Sequence, residues 1–483
     1  MDGSIVRGRR PPHAPRRSGA GVEWDHGQKG RSVVAMTKGG TKHGHATGDG
    51  DYDEGSITLR GAVAMGTGVM IGAGIFALTG QIAELSGSIF PLIFMAAAIV
   101  AGVSAYGYVR MANAYPSAGG IAMFLTKAYG PGAVAGGSAL LMAFSMVINE
   151  SLVARTFGTY LVRPFDVGAA DALVPILAVG LIGVAFVVNI SGNDLIQAVS
   201  EITALIKIGG IVVFALLALW AAGLSYESSS SGTTDSPANL LAAVALGVLA
   251  YKGFTTITNS GAELVEPERN VGRAIVISLG ICVIVYLLVA LAVGSSLTVD
   301  QITAARDFSL AEAARPALGG AGTIFTVAIA IVATVTGIIA SVFAVSRMLA
   351  MVSEMGIIPH RHFGMSGRIQ RHTLVYTVVL AALLAAFFDL GRIAALGAIF
   401  YLVMDVLIQW GILSRLRDEV PANRAIVAAA IVLDLAALGG LVWLKATGDL
   451  LVVVVAAIGI AVIFVGEWIF LRNGPVEPPP TRS

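Results

Sequence analysis

The sequence predicts an all-α integral membrane protein of about twelve spanning helices, and three observations carry that reading. Of its 483 residues, 56% are hydrophobic and 13% charged, where soluble domains carry about 25% charged residues. Mean hydropathy is +0.81. Apolar runs recur at the length a bilayer demands, about 20 residues each, and short linkers separate them, leaving no room for a soluble domain. A net charge of +1 gives no basic field for nucleic acid, and the lone Cys282 sits in an apolar run with no second cysteine to pair with.

Residues 1–56 are polar and read as a disordered cytoplasmic tail without a signal-peptide core. Its basic stretch, Arg7, Arg9, Arg10, Arg16 and Arg17, either touches anionic membrane lipid or is simply solvated. Met36 is an alternative initiator. The spanning segments follow near 57–82, 88–111, 131–162, 171–189, 197–222, 239–263, 271–297, 320–350, 373–389, 392–414, 424–444 and 448–471. Polar linkers fall at 225–239 and 298–319, and 473–483 reads as a second tail. Basic residues set the orientation. One side gathers Arg110, Lys127, Arg269, Arg273, Arg347, Arg361, Arg368, Arg371, Arg415, Arg417 and Arg424; the other holds Arg163, Arg306, Arg315, Arg392 and Lys445. The first side is expected to be cytoplasmic, with both termini inside a multi-pass protein of the cell membrane.

Two segments carry interruptions. "GTGVMIGAGIF" at 66–76 places Gly66, Gly68, Gly72 and Gly74 inside an apolar run, and "GVLAYKGFTTITNSG" at 247–261 places Tyr251, Lys252 and Gly253 in the middle of another. Each interior glycine costs a helix about 1 kcal/mol against alanine, and a broken helix exposes polar groups that lipid cannot satisfy. Segments 1 and 6 run in opposite directions when five-segment units are compared. Interruptions at matching positions of inverted halves point to a transport site, whereas close helix packing explains glycines equally well within one segment. On the first reading segment 1 is two half-helices meeting near Ile71–Gly74. Amides at Gly72, Ala73 and Gly74 then suit a carboxylate. Carbonyls at Val69, Met70 and Ile71, with those around Tyr251, Lys252, Gly253 and Phe254, suit an ammonium. A zwitterion held at both ends is an amino acid.

These residues resemble the amino acid–polyamine–organocation permeases. "GTGVMIGAGIF" looks like that family's first-helix glycine pattern, "YPSAGGIAMFLTKAYGP" at 115–131 its segment after the second helix, "ELVEPERNVGRAI" at 263–275 its loop after the sixth, and "SRMLAMVSEMGIIP" at 346–359 its loop after the eighth. The resemblance implies a five-plus-five inverted repeat of the leucine transporter type over 57–415, with broken helices 1 and 6, two accessory helices over 416–472 and alternating access. Departures from the family pattern are Arg110, Gly272, the Glu354-Met355 pair and Lys252.

Ionisable residues inside spans are functional candidates. Lys207 lies about 15 Å into segment 5 at 1.5 Å per residue; the resemblance implies proton coupling there, through carbonyls of segment 1 or hydroxyls such as Thr336 and Ser341, against a structural salt bridge. Glu150 in segment 3 either couples protons or pairs with Arg155, and Asp405 in segment 10 is a candidate partner for Lys252. Enzyme readings find no support. All seven histidines lie in the tail or one loop, no phosphate-binding G-x-x-x-x-G-K-[ST] occurs, and neither metal nor cofactor is expected. The expected function is secondary active transport of amino acids by proton-coupled symport, with the proton as coupling ion. An exchanger, a polyamine or amine permease and a non-transporting sensor remain open, as does oligomeric state.

Overall fold

In lipid a helix is the one open-ended backbone that satisfies its own polar groups. The computed structural model describes residues 55–116, 120–165, 170–191, 193–223, 225–226, 236–354 and 369–473, and among them helix dominates. The twelve expected segments correspond to α1 (Leu59–Ser86), α2 (Phe90–Ala114), α3 (Ala133–Val162), α4 (Ala170–Ser191), α5 (Asn193–Ala221), α6 (Pro237–Tyr251), α7 (Pro267–Ser296), α8 (Ser309–Glu354), α9 (Ile369–Phe387), α10 (Leu390–Ser414), α11 (Arg424–Gly448) and α12 (Leu450–Asn473). The tail readings, the centre of the 115–131 motif and the loop from 355 to 368 lie outside the described residues.

Local chemistry sets the helix starts. Thr58 Oγ1 accepts from the Gly61 amide at 3.1 Å, Asp389 from the Arg392 amide at 2.9 Å and Asn423 from the Ala425 amide at 2.9 Å, each meeting an amide that has no carbonyl partner within its helix. Pro91, Pro237 and Pro267 stand in first turns, where a missing amide costs nothing.

Helix α6 is interrupted, as the sequence leads one to expect. It ends at Tyr251, passes through a 3₁₀ turn at Lys252–Phe254 and resumes as the short helix Thr255–Asn259. Helix α1 is not interrupted. It runs continuously over Leu59–Ser86, which corrects the expectation of two half-helices meeting near Ile71–Gly74. The 298–319 stretch also differs from expectation. It forms the helix Val299–Ala304, closed by a Thr298–Gln301 capping box, and the first turns of α8, which bend at Gly319, a residue at φ 60°. The hydroxyl and amide side chains that make this stretch polar are also the residues that cap helices.

Helix α1 packs against α5, α6, α7 and α8 and is clasped at both ends. At its start Ile57 and Leu264 form an isolated parallel bridge, the Ile57 amide donating to the Glu263 carbonyl at 2.9 Å and the Val265 amide to the Ile57 carbonyl at 3.0 Å. Glu263 in turn pairs with Arg347 of α8. At the other end Arg306 pairs with Glu84 at 2.7 Å and the Gln81 amide donates to Asp307 at 2.6 Å. Helices α11 and α12 lie outside this arrangement, α11 on α2, α6 and α10, and α12 on α3, α10 and α11.

Burial holds the Asp307 carboxyl above the usual carboxylate range, against the opposing pull of Arg306. The folded chain therefore takes up a proton there before the unfolded chain does. Stability contributed by Asp307 grows as pH falls from its raised value toward about 3.9 and is lost as pH rises back through that window. Asp307→Asn should flatten this part of the pH dependence of thermal unfolding, leaving the neutral range unchanged.

Candidate functional site

At the interruption of α6 the Thr255 amide donates to the Lys252 and Gly253 carbonyls, and hydroxyls placed three residues on reach carbonyls of the same turns. Thr255 Oγ1 donates to the Lys252 carbonyl at 2.9 Å, Thr256 Oγ1 to Gly253 at 2.7 Å and Thr258 Oγ1 to Thr255 at 2.6 Å. One further carbonyl at the break, that of Ala250, faces Tyr286 of α7. The Tyr286 hydroxyl lies 2.6 Å from the Met70 carbonyl of α1 and 3.2 Å from the Ala250 carbonyl. A phenol has one proton, so it donates to one of these oxygens at a time.

Around this contact the backbones of α1 and α6 close on each other. A Cβ at Gly253 would stand 2.7 Å from the Met70 amide nitrogen, and one at Gly74 would stand 2.6 Å from the Tyr286 hydroxyl and 2.8 Å from the Ala250 carbonyl. Gly72 meets α8 instead, 3.1 Å from the Ala333 carbonyl. Val69, Met70 and Ile71 are buried, and so are Tyr251, Lys252, Gly253 and Phe254. The Tyr251 and Tyr286 rings pack at 4.9 Å, and Phe254 meets Tyr108 edge to face at 5.4 Å. The side chain of Ala73 is outside the described residues. In this conformation the glycines serve close approach between backbones, the packing alternative that their pattern left open.

The buried charges are distributed differently from the sequence expectation. Lys207 of α5, 2% exposed, donates to the Gly68 carbonyl of α1 at 3.3 Å. A Cβ at Gly68 would stand 3.4 Å from its ammonium. The carbonyl that meets Lys207 belongs to an unbroken α1, and Thr336 and Ser341 engage other groups. Thr336 donates back to Val332 at 2.7 Å within α8, as hydroxyls on helices commonly do. Ser341 donates to Glu150 at 3.3 Å. Glu150 does not pair with Arg155, whose guanidinium donates to the Ala385 carbonyl at 3.2 Å. The second oxygen of Glu150 has no partner among the described residues.

Lys252 does not pair with Asp405. It points to α3, donating to the Ser145 carbonyl at 2.8 Å and to Ser145 Oγ at 2.9 Å, with its ammonium 5.8 Å from the centre of the Tyr401 ring. Asp405 turns to α2, accepting from Ser104 at 2.5 Å and Tyr108 at 3.0 Å, and from Gln409 at 3.3 Å. Helix direction explains the mismatch, since shared walls of a bundle do not make two side chains face each other.

Tyr286 and Ser145 escaped the sequence reading. Tyr286 has a signal there, as the polar group in the apolar run "ICVIVYLLVALAV"; Ser145 has none, because a lysine's reach across a bundle is not visible along a chain.

A helical bundle with a broken helix set against a glycine-lined one, and ionisable groups buried between helices, defines a polytopic membrane transporter. The chain belongs to the amino acid permease family, of the amino acid–polyamine–organocation superfamily, which it matches over residues 57–478. It is 27% identical to the inner membrane transport protein YbaT of Escherichia coli over 82% of this chain and 91% of that protein. It is 28% identical to the mitochondrial cationic amino acid transporter 3 of Arabidopsis thaliana over 72% of this chain and 60% of that protein. A Methanocaldococcus jannaschii protein, MJ0609, is 27% identical over 78% of this chain and 87% of its own length. These are transporters by name where a function is given, and the chain is a transporter rather than an enzyme.

A branched side chain at position 74 has no space beside Ala250 and Tyr286. Gly74→Val should lower stability by about 1–3 kcal/mol through overpacking, read as a fall in the thermal midpoint, while Tyr286→Phe, which removes one hydroxyl and no volume, should cost about 1 kcal/mol.

Proposed function

We propose that this transporter moves amino acids across the cell membrane, with both termini cytoplasmic, by proton-coupled symport. The observation that carries the reading is the pair of carbonyls, one from α1 and one from the break in α6, that share the single proton of Tyr286. An α-ammonium brings three N–H donors and serves both oxygens at once where the phenol serves one. The substrate carboxylate then needs amides at Gly72, Ala73 and Gly74. In the continuous α1 those amides are committed to the helix, so binding includes opening of α1 at its glycines, where side-chain entropy and bulk do not oppose it.

Lys252 shapes selectivity on this reading. Cationic amino acids are named for the Arabidopsis relatives. Here a buried ammonium, held by Ser145 rather than by a carboxylate, belongs to the interrupted turn of α6, and a second cation brought close to it in a low dielectric costs several kcal/mol. The substrate class proposed is therefore zwitterionic amino acids, and polyamines are disfavoured.

Lys207 is proposed to carry the coupling. Its ammonium is tied to the Gly68 carbonyl of α1, so on this reading its protonation follows whether α1 lies against α5. Departure of α1 at one side of the membrane releases the proton there, and return at the other side takes one up.

Three outcomes test these statements in proteoliposomes containing the full chain. An imposed proton gradient, with no substrate inside, should drive accumulation of a neutral amino acid; uptake that requires internal amino acid would make the protein an exchanger. Lys207→Ala should reduce gradient-driven accumulation to the level of empty vesicles while ligand-induced thermal stabilisation survives. Lys252→Met should improve arginine binding by roughly tenfold to a hundredfold, equivalent to about 1.4–2.7 kcal/mol.

A further inference from the structure

The C-terminal end of α1 is crossed by the turn that joins the helix Val299–Ala304 to α8, and the crossing is made backbone to backbone. A Cβ at Gly80 would fall on the Arg306 carbonyl group, so a side chain there would push the turn away. Side chains then fasten the turn where it lies. The Gln81 amide donates to Asp307 at 2.6 Å, and Arg306 pairs with Glu84 at 2.7 Å. Beyond the turn Arg163, at the end of α3, pairs with Glu312 at 2.6 Å and stands 4.1 Å from the centre of the Phe308 ring. Residues 305–312 thus form a strap held to α1 on one side and to α3 on the other.

Asp307 differs from its acidic neighbours in what it touches. Glu84, Glu312 and Asp449 each pair with an arginine, whereas the contact that joins Asp307 to α1 is with a neutral amide. The charged and titratable groups that face it are Glu84 from α1, Arg306 from its own turn, Asp389 from the start of α10, and Arg155 and Tyr160 from α3. Asp389 lies close by, since a Cβ at Gly391 would stand 3.2 Å from Gln81 Oε1 and 3.5 Å from Asp389 Oδ1. The cations of this set have other partners. Arg306 pairs with Glu84, and Arg155 donates to the Ala385 carbonyl at 3.2 Å. A carboxylate drawn from water into such a place loses hydration that a single amide does not replace. The neutral acid loses less, and its carbonyl oxygen still accepts from Gln81.

We propose that the Gln81–Asp307 contact is an acid-sensitive clasp, through which the pH of the solution at that end of α1 sets whether the strap lies closed on the helix. On closing, a proton from water forms an O–H bond on the Asp307 carboxyl. On opening, Asp307 meets water and gives the proton back. Burial in the closed state holds the Asp307 carboxyl above the usual carboxylate range, so the closed state binds the proton more tightly than the open one. Falling pH therefore favours closure, and rising pH favours opening. The Arg306–Glu84 pair is half-open to solvent and adds little to the hold. That this end faces outward rests on the orientation proposed above; the clasp itself does not depend on substrate or on Lys207.

The test is double electron–electron resonance on the full-length chain in lipid nanodiscs, without substrate or gradient, so that its outcome is separate from that of the transport assays. Spin labels at Ala304→Cys and Thr447→Cys, both exposed positions, in a Cys282→Ala background, report the distance between the strap and the end of α11. Acid solution should give one short distance. As pH rises a longer one should grow, its ratio to the short one increasing by up to about tenfold per pH unit, the limit for one proton. Asp307→Asn, neutral at every pH and still able to accept from Gln81, should keep the short distance throughout. Gln81→Ala, which removes the donor and keeps the acid, should bring the longer distance in at lower pH than in the parent. A distance ratio that pH does not move, a longer distance that grows in acid, or a pH dependence that survives Asp307→Asn would each overturn the proposal. So would a Gln81→Ala protein that follows the parent's pH profile, which decides the matter even where Asp307→Asn does not fold.

Discussion

The carbonyl oxygens of Met70 and Ala250, from two different helices, look at one tyrosine hydroxyl, and much of the interior follows from that close convergence of two backbones. Inside a membrane-spanning bundle, a backbone oxygen released from a helix needs another donor. Thr255, Thr256 and Thr258 serve the break in α6 from within three residues. The Gly68 carbonyl takes a donor from Lys207 and the Ser145 carbonyl one from Lys252, each from another helix. Donors arriving from a neighbour require close backbones, and this is why residues 68, 74 and 253 have no side chain: at each, a Cβ would fall on or near the partner atoms.

The same constraint explains which features were legible in the chain. Span positions and the interruption at Tyr251–Gly253 were readable because length, hydropathy and a lysine followed by threonines are local signals. The state of α1 was not. A glycine run that permits a helix to break also permits it to pack tightly while unbroken, and the deciding partner, Tyr286, lies 216 positions from Met70. Direction across the bundle was lost for a similar reason. Lys252 and Asp405 both sit on helices around α3 and α2, yet one side chain reaches Ser145 and the other Ser104. The 298–319 stretch looked like a linker because helix-capping residues and loop residues are the same residue types.

Both ends of α1 are fastened by polar contacts, while its middle is held by single donors. The Ile57–Leu264 bridge and the Glu263–Arg347 pair fix the start, and Arg306 and Asp307 with their partners fix the end. Between them stand Lys207 on Gly68 and Tyr286 on Met70. The Arg306–Glu84 pair is half-open to solvent and contributes little, whereas the Glu263–Arg347 pair is largely buried. The central contacts are buried, and each brings a second donor to a carbonyl of the unbroken α1, at about 1 kcal/mol each.

On the proposed reading, a ligand releases the centre by replacing its donors. Water could do so, but it brings its own hydration into a region lined by Phe254, Tyr251 and Tyr108, whose apolar faces are buried against one another. A molecule carrying several N–H groups on one atom can take both the Met70 and the Ala250 carbonyl and free Tyr286. On the proposed reading the helix break, the glycines and the tyrosine act as one device: a single phenol proton serves two carbonyls, and a ligand that brings more donors than the side chain it displaces is favoured there.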